Sequence, residues 1–187
     1  NVHSSDHHSI LFAGNQEINF PNVNLPSGSN DRTVSIWYKP NCDVARLASD
    51  RSHNILSWGG GTKVVDNQKR FSILYLSQNS MSKPCKEIRF AGESMDWTGL
   101  SAPTNLEWDH ITFTFSSGQM KFYRAGQFVA GPQSLTLNTT AITETNPLKL
   151  GGVNGRTFGA ETYFGSIGRV RVWNRALTAT EVANEFS

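Results

Sequence analysis

Cysteine is scarce in this chain, since only two of its 187 residues are cysteine. Two thiols are too few for a structural zinc site, and they do not form a C-x-x-C pair. Both lie in polar stretches, KPNCDVARL and SMSKPCKEI, where a free exposed thiol would be a liability in an oxidising compartment. We therefore predict a disulfide between Cys42 and Cys85.

An excess of charge of one sign is also lacking. The 17 lysines and arginines are mixed along the chain with 15 aspartates and glutamates, which leaves a net charge of +2. Because no basic run or stripe stands out, we expect no nucleic-acid partner. No segment approaches the ~20 consecutive apolar residues that a membrane-spanning helix needs, so we expect no membrane span.

Alternation of apolar and polar residues with period two dominates the chain and indicates β-strands. The clearest cases are RTVSIWY, FSILYLS and HITFTFS. Shorter candidates, separated by Gly, Asn, Ser and Pro clusters, are SILFA, EINF, NILSW, EIRF, MKFYR, FVA, LTL, LKL, TYFG and GRVRVW. The best-defined hairpin runs from Ile111 to Arg124 and turns at SSGQ, around Gly118.

One helix start is marked near the end of the chain. Thr178 and Glu181 have the spacing of a capping box, which predicts a helix that begins at Ala179. Leu177 and Val182 stand where a hydrophobic staple would sit. About two turns of chain remain, too few for a stable isolated helix, so we expect this helix to pack on a sheet.

Nothing before this capping box shows helical periodicity over three turns, and many short strands with one terminal helix predict a two-sheet antiparallel sandwich. We assign residues 10–187 to one domain and residues 1–9, NVHSSDHHS, to a flexible polar arm. Arg169, Arg171 and Arg175 alternate along the last strand and predict a charged stripe that faces solvent.

The segment FGSIGRVRVWNRALTATEV resembles the closing motif of the laminin G-like, concanavalin A-like jelly-roll domains. Other landmarks of that family follow in order: ILFAGNQEINF resembles its opening strand pair, TVSIWYKP its next core strand, WDHITFTFSSGQMKFYRAGQFV its Trp-x-His hairpin and PLKLGG a late strand. The resemblance spans Ile10 to Val182. It implies an all-β fold, a jelly-roll sandwich of two antiparallel sheets with a short C-terminal helix.

The resemblance also bears on cofactors. Members of the family often carry acidic residues near a bound calcium ion, at positions held here by Ala13 and Gly168. Calcium requires several oxygen donors, and those left nearby are Asn15, Glu17 and backbone carbonyls. Asn15 and Glu17 are thus the candidate ligands for a structural Ca²⁺, and we expect no other cofactor.

Enzymes with this fold are chiefly glycosidases that carry closely spaced carboxylates on one strand. A retaining glycosidase needs two carboxyl groups about 5 to 5.5 Å apart. No predicted strand of this chain carries an E-x-D-x-E or similar run, and no G-x-S-x-G elbow is present. We therefore expect a protein that is not an enzyme.

The candidate ligand-binding residues are Asp96, Trp97 and Thr98, within the polar loop GESMDWTGLSAPT. An exposed indole stacks on the face of a sugar while a neighbouring carboxylate accepts hydrogen bonds from hydroxyl groups. The alternative is that Trp97 folds down as a lid over the edge of the sandwich. For one histidine and the other tryptophans we predict packing roles in or beside strands: His110, Trp37, Trp58, Trp108 and Trp173.

Two functions follow from these observations. The first is an extracellular, non-enzymatic binding module that recognises carbohydrate or a glycosylated surface through loops at one end of the sandwich. The second is a structural or assembly protein of an extracellular matrix that binds a protein partner. The predicted disulfide and the N-x-T sequon at Asn138, a predicted glycosylation site, both favour secretion.

Overall fold

The computed structural model describes residues 8–45, 47, 52–60, 69–92, 94–154 and 161–187. These residues form two antiparallel sheets and a short C-terminal helix, as the sequence predicts, and a second helix of four residues. In spatial order, the six-stranded sheet contains β1 (Ile10–Ala13), β11 (Phe164–Trp173), β3 (Arg32–Pro40), β7 (Asp109–Ser116), β8 (Gln119–Arg124) and β9 (Gln127–Ser134). The five-stranded sheet contains β2 (Ile18–Phe20), β10 (Leu148–Leu150), β4 (Ser52–Gly59), β5 (Arg70–Ser77) and β6 (Cys85–Ala91). The helices are α1 (Cys42–Ala45) and α2 (Ala179–Phe186).

Aromatic side chains from both sheets meet in the core. Phe71 and Phe90 of the five-stranded sheet lie 4.9 Å apart, Phe90 lies 6.4 Å from Phe113 of the six-stranded sheet, and Phe113 lies 4.9 Å from Phe122, all measured between ring centroids. These four rings are fully buried. Burial of each such side chain contributes on the order of 2 kcal/mol, so the ring series holds the two sheets together.

The hairpin between β7 and β8 is confirmed. Ser116 pairs with Gln119, so Ser117 and Gly118 form a two-residue turn, and both have a positive φ, 50° and 74°. Two positive φ angles are typical of the type I′ turn, whose twist matches that of the flanking strands. This turn sets the register that places Phe113 opposite Phe122.

Two strand predictions are wrong in detail. Leu135 to Leu137 do not form a strand, because β9 ends at Ser134 and the chain continues with Leu135 and Leu137 buried in the core. TYFG and GRVRVW form one strand rather than two, because β11 continues from Phe164 to Trp173 through an irregularity between Ile167 and Val170. Helix α1 was not predicted, since four residues are too few to show a helical period.

Helix α2 begins and is capped as predicted. The Thr178 hydroxyl accepts from the Glu181 backbone N–H, and the Glu181 carboxylate accepts from the Thr178 backbone N–H. Leu177 and Val182 are buried in one cluster with Tyr123 on the outer face of the six-stranded sheet. The helix therefore covers part of that face.

Of the three arginines in the predicted stripe, Arg171 and Arg175 are exposed as expected, and all three are bound to residues of helix α2. Arg169 donates to the Glu185 carbonyl at 2.7 Å, and Arg171 pairs with the Glu185 carboxylate at 2.7 Å. Arg175 donates from Nη2 and Nη1 to the two carboxylate oxygens of Glu181, at 2.7 and 2.9 Å. Arg169 and Arg171 therefore bind the terminal helix to β11, and Arg175, which follows β11, binds the first turn of that helix.

Candidate functional site

The segment that carries the predicted binding residues extends the five-stranded sheet at its β6 edge. Trp97 and Phe90 exchange both backbone hydrogen bonds, at 2.9 and 3.1 Å, and the Ile88 N–H donates to the Ser101 carbonyl at 3.3 Å. The Gly99 N–H donates to the Glu87 carboxylate at 3.1 Å. The segment that the sequence predicts to be a loop is therefore hydrogen-bonded along the edge strand β6.

Trp97 is half-buried at the open edge between the two sheets. Its ring packs edge-on against Phe113, with centroids 6.5 Å apart and planes at 80°. On the other side lies β9, where a Cβ added to Gly131 would come within 3.4 Å of the indole. Trp97 therefore fills the gap between β6 and β9, close to the lid arrangement, while part of its ring stays exposed.

Asp96 and Thr98 are exposed on either side of Trp97. Because side chains alternate along an extended segment, they point to the outer face while Trp97 points between the sheets. One oxygen of Asp96 accepts from the Gly92 N–H at 3.2 Å, which fixes the carboxylate. Within the described ranges, its second oxygen and the Thr98 hydroxyl make no hydrogen bond and face outward. The three predicted residues therefore share one edge but not one face.

Sequence reasoning missed an ion pair beside these residues. Arg89 directs Nε and Nη2 to one Glu87 oxygen, Oε1, at 3.2 and 2.8 Å. Both side chains lie on the outer face of β6, and the Arg89 side chain keeps 26% of its surface exposed. The signal that could have revealed the pair is the alternation in KEIR, which places Glu87 and Arg89 on one face of a strand. We call Glu87, Arg89, Asp96, Trp97 and Thr98 the edge site.

The acidic residues of the described strands are paired with arginines. Among the strands that the structure describes, Glu87 and Asp109 are the only acids. Asp109 accepts from Arg124 Nε at 3.0 Å and from the buried Tyr38 hydroxyl at 3.0 Å. Burial and the Asp109 charge raise the pKa of Tyr38 well above its usual value. The two strand acids are each paired with an arginine, and neither faces a second carboxylate on its own strand.

His110 has the packing role expected of it. It is buried between the six-stranded sheet and α2, where Nε2 lies 2.7 Å from the Ser35 hydroxyl. Its ring centroid lies 5.0 Å from that of Trp37 and 5.6 Å from that of Phe186. Burial, with a smaller contribution from the Arg169 charge, lowers the pKa of His110 to about 4. The imidazole is therefore neutral at physiological pH.

The remaining predictions concern the disulfide, the sequon and the arm. Cys42 and Cys85 are joined in a disulfide, as predicted. Asn138 is exposed in the connection between β9 and β10, so its side chain is accessible. Its glycosylation stays a prediction. Residues 1–7 of the predicted arm lie outside the described residues, and the domain boundary at residue 10 stays a prediction.

A family model described as the concanavalin A-like lectin/glucanases superfamily, of laminin G type, matches residues 12–183. The chain belongs to this superfamily. No curated protein matches this concanavalin A-like chain.

Solved structures with the same fold include complexes with sugars. Domain 4 of the extracellular arabinanase AbnA from Geobacillus stearothermophilus, in complex with arabinotriose, is 21% identical with a TM-score of 0.59, covering 96% of this chain and 76% of its own. The CBM40 of a Ruminococcus gnavus sialidase, bound to alpha2,3 sialyllactose, is 17% identical with a TM-score of 0.63, covering 96% of both chains. A heptameric SAP-like pentraxin from Limulus polyphemus is 20% identical with a TM-score of 0.58, covering 96% and 81%. At these identities the likeness shows the fold alone.

The calcium site that the laminin G-like resemblance implies does not fit the residues present. Asn15 is exposed, and the Glu17 carboxylate is paired with the Lys149 ammonium at 2.6 Å. Ala13 and Gly168 supply no side-chain oxygen. Within the described ranges, no three His, Cys, Asp or Glu side chains are grouped to hold a metal ion. Because Ca²⁺ takes six to eight oxygen ligands, the geometry gives the prediction of Asn15 and Glu17 no support.

Of the two described helices, neither is long and apolar enough to cross a membrane.

Proposed function

We propose that this concanavalin A-like chain is an extracellular, non-enzymatic module that binds carbohydrate at the edge site. The observation that carries the proposal is Trp97, which is only partly buried, is held between β6 and β9 and is flanked by exposed polar residues. A sugar presents an apolar C–H face that stacks on an indole. Its hydroxyl groups would donate to the free oxygen of Asp96 and share hydrogen bonds with Thr98.

Rigidity of the site favours binding. The Trp97 backbone is fixed by both hydrogen bonds to Phe90, and the Asp96 carboxylate is fixed by the Gly92 N–H. Groups that are ordered before the ligand arrives lose little conformational entropy when they bind it. The arabinotriose and sialyllactose complexes of structural neighbours support the class of ligand, because the same fold serves sugar binding in those proteins.

Three further features support the rest of the proposal. Glu87 and Asp109 each pair with an arginine, which favours a module without glycosidase chemistry. The disulfide between Cys42 and Cys85 suits an oxidising, extracellular compartment. Because the groups of the edge site act through stacking and hydrogen bonds, the binding that we propose needs no metal ion.

The test is a glycan array probed with the wild type and with Asp96→Ala and Thr98→Val variants. Both residues are exposed, so we expect binding to weaken by about tenfold or more while the melting temperature changes little. Thr180→Val on α2, also exposed, is the matched control and should bind as the wild type does. Full binding by both edge-site variants, or no glycan bound by the wild type, would reject the proposal.

A protein partner in an extracellular matrix is the second candidate, favoured by one apolar surface. Val44, Leu47 and Leu106 are exposed by 45%, 71% and 48% near the disulfide. Leu106 has a positive φ of 59° and donates its N–H to the Pro40 carbonyl. Leucine rarely adopts this backbone conformation, and such strain is concentrated at functional segments.

Binding to a matrix whose glycans have been removed enzymatically separates the two candidates. If sugar is the ligand, deglycosylation abolishes retention of the protein. If a protein is the ligand, retention survives deglycosylation and falls in a Leu47→Ser, Leu106→Ser double variant.

A further inference from the structure

Glu87 occupies one side of the Arg89 guanidinium and the Gly99 N–H, which are donors of the edge site that suit an anion. Two nitrogens of Arg89 are bound to Glu87 Oε1, and the Gly99 N–H is bound to Glu87 Oε2. A guanidinium fork and a backbone N–H are the groups that recognise a carboxylate in proteins. In this site the carboxylate of Glu87 takes the place that the carboxylate of an acidic sugar would need.

The charge of the edge site disfavours an acidic sugar as well. The charged side chains of the edge site are Glu87, Arg89 and Asp96, which leaves one net negative charge, and the exposed Lys86 lies next to Glu87 on β6. The Asp96 carboxylate is exposed and has one oxygen free to accept a hydrogen bond. A hydroxyl group can donate to that oxygen, whereas an ionised carboxylate is repelled by it.

We propose that the edge site takes neutral glycans and excludes glycans that carry a carboxylate, with Glu87 as the specificity-determining residue. This inference rests on the proposed function and names its substrate class. It separates this chain from the structural neighbour that is bound to sialyllactose, an acidic glycan. Glu87 acts by holding Arg89 and Gly99 and by adding negative charge.

The experiment uses an array that prints each neutral oligosaccharide beside its sialylated or uronic-acid counterpart. We expect the wild type to bind the neutral member of a pair at least about tenfold more tightly. Glu87→Gln removes one negative charge and weakens the hold on Arg89, so it should reduce this preference about tenfold. Adding Arg89→Gln to that variant should abolish the gain in binding of the acidic member.

Glu17→Gln is the matched control. Glu17 is likewise paired with one cation, Lys149, and its side chain is 14% exposed against 12% for Glu87. It lies beside β2, at the opposite edge of the same sheet from β6. This variant should keep the preference of the wild type, which excludes a general effect of net charge.

Salt dependence gives a second readout that needs no variant. Raising NaCl from ~0.05 to ~0.5 M screens charges, so the wild type should discriminate less against the acidic member while its affinity for the neutral member is unchanged. Equal or tighter binding of acidic glycans by the wild type, or an unchanged preference in Glu87→Gln, overturns this inference and leaves the proposed function standing. Absence of binding to every glycan overturns both.

Discussion

At the scale of single residues, a buried polar side chain, Arg32, contributes contacts and hydrogen bonds inside this sandwich. Arg32 is fully buried, and its guanidinium lies 5.6 to 5.9 Å from the ring centroids of Trp58, Phe71 and Phe115. It donates to the Gly28 carbonyl at 2.8 Å, among other acceptors. Burial lowers the pKa of Arg32 to about 10, so it stays charged at neutral pH. Hydrophobic patterns cannot reveal such a core residue, because its burial depends on hydrogen bonds to carbonyls of the preceding residues 27–30 and to the Thr139 hydroxyl.

His110 predicts a loss of stability in acid. Its folded pKa of about 4 lies below the ordinary value of about 6.5, so the folded protein binds fewer protons than the unfolded chain between these values. Its stabilising contribution is complete above pH ~6.5 and is lost as the pH falls towards ~4, by about 3 kcal/mol. Chemical unfolding at a series of pH values measures it.

The comparison variant for this prediction is His110→Gln, which keeps a polar partner for Ser35 but does not titrate. Carboxylates contribute equally to both proteins, so the wild type should lose about 3 kcal/mol more than the variant between pH ~7 and ~4. Parallel curves for the two proteins would contradict the buried, neutral state of His110.

At the scale of elements, helix α2 is the clearest test of local sequence rules. The capping box predicts that Thr178→Ala lowers the free energy of unfolding by about 1 kcal/mol, because it leaves N-terminal backbone N–H groups without an acceptor. Leu177→Ala should cost more, since Leu177 is also buried with Val182 and Tyr123. Urea unfolding measures both, and Thr180→Ala, at an exposed position of the same helix, is the control. Thr178→Ala with the stability of this control would show that the box contributes nothing.

Local sequence signals were sufficient to predict structure where the interacting groups are close in sequence. The capping box of α2 and the turn at Ser117 and Gly118 were predicted because each depends on neighbouring residues. The strand assigned to Leu135 to Leu137 failed because its alternation matches a strand but no described strand pairs with it; the Leu135 N–H bonds to the Gly118 carbonyl.

Apart from the disulfide, contacts between distant segments could not be predicted from the sequence. Arg169 and Arg171 have the spacing of an exposed stripe, yet both bind Glu185 of the terminal helix. The residues of the edge site were named only in part, because Trp97 owes its position to β6 and β9 and the role of Arg89 depends on the segment folded beside it. Alternation in the sequence shows which side chains share one face of a strand. It does not show which segment folds beside the edge of that strand.

At the scale of the whole molecule, the disulfide links the two sheets. Cys42 follows β3 of the six-stranded sheet, and Cys85 begins β6 of the five-stranded sheet, 43 residues later. Closing a loop of this length stabilises the fold by roughly 4 kcal/mol in the chain-entropy model. We expect a Cys42→Ala, Cys85→Ala double variant to lose about that much in urea unfolding. A loss below about 1 kcal/mol would contradict the prediction.

The central claim, that sugar binds beside Trp97, is tested most directly by following the five tryptophan indole N–H resonances during titration with the tightest-binding neutral glycan of the array. Trp58 is an internal control, because it is fully buried and its Nε1–H donates to the Pro26 carbonyl at 3.1 Å. We predict a saturable shift of the Trp97 resonance, assigned with Trp97→Phe, while the Trp58 resonance stays in place. Saturable binding that shifts Trp108 or Trp173 and leaves Trp97 unmoved would contradict the claim.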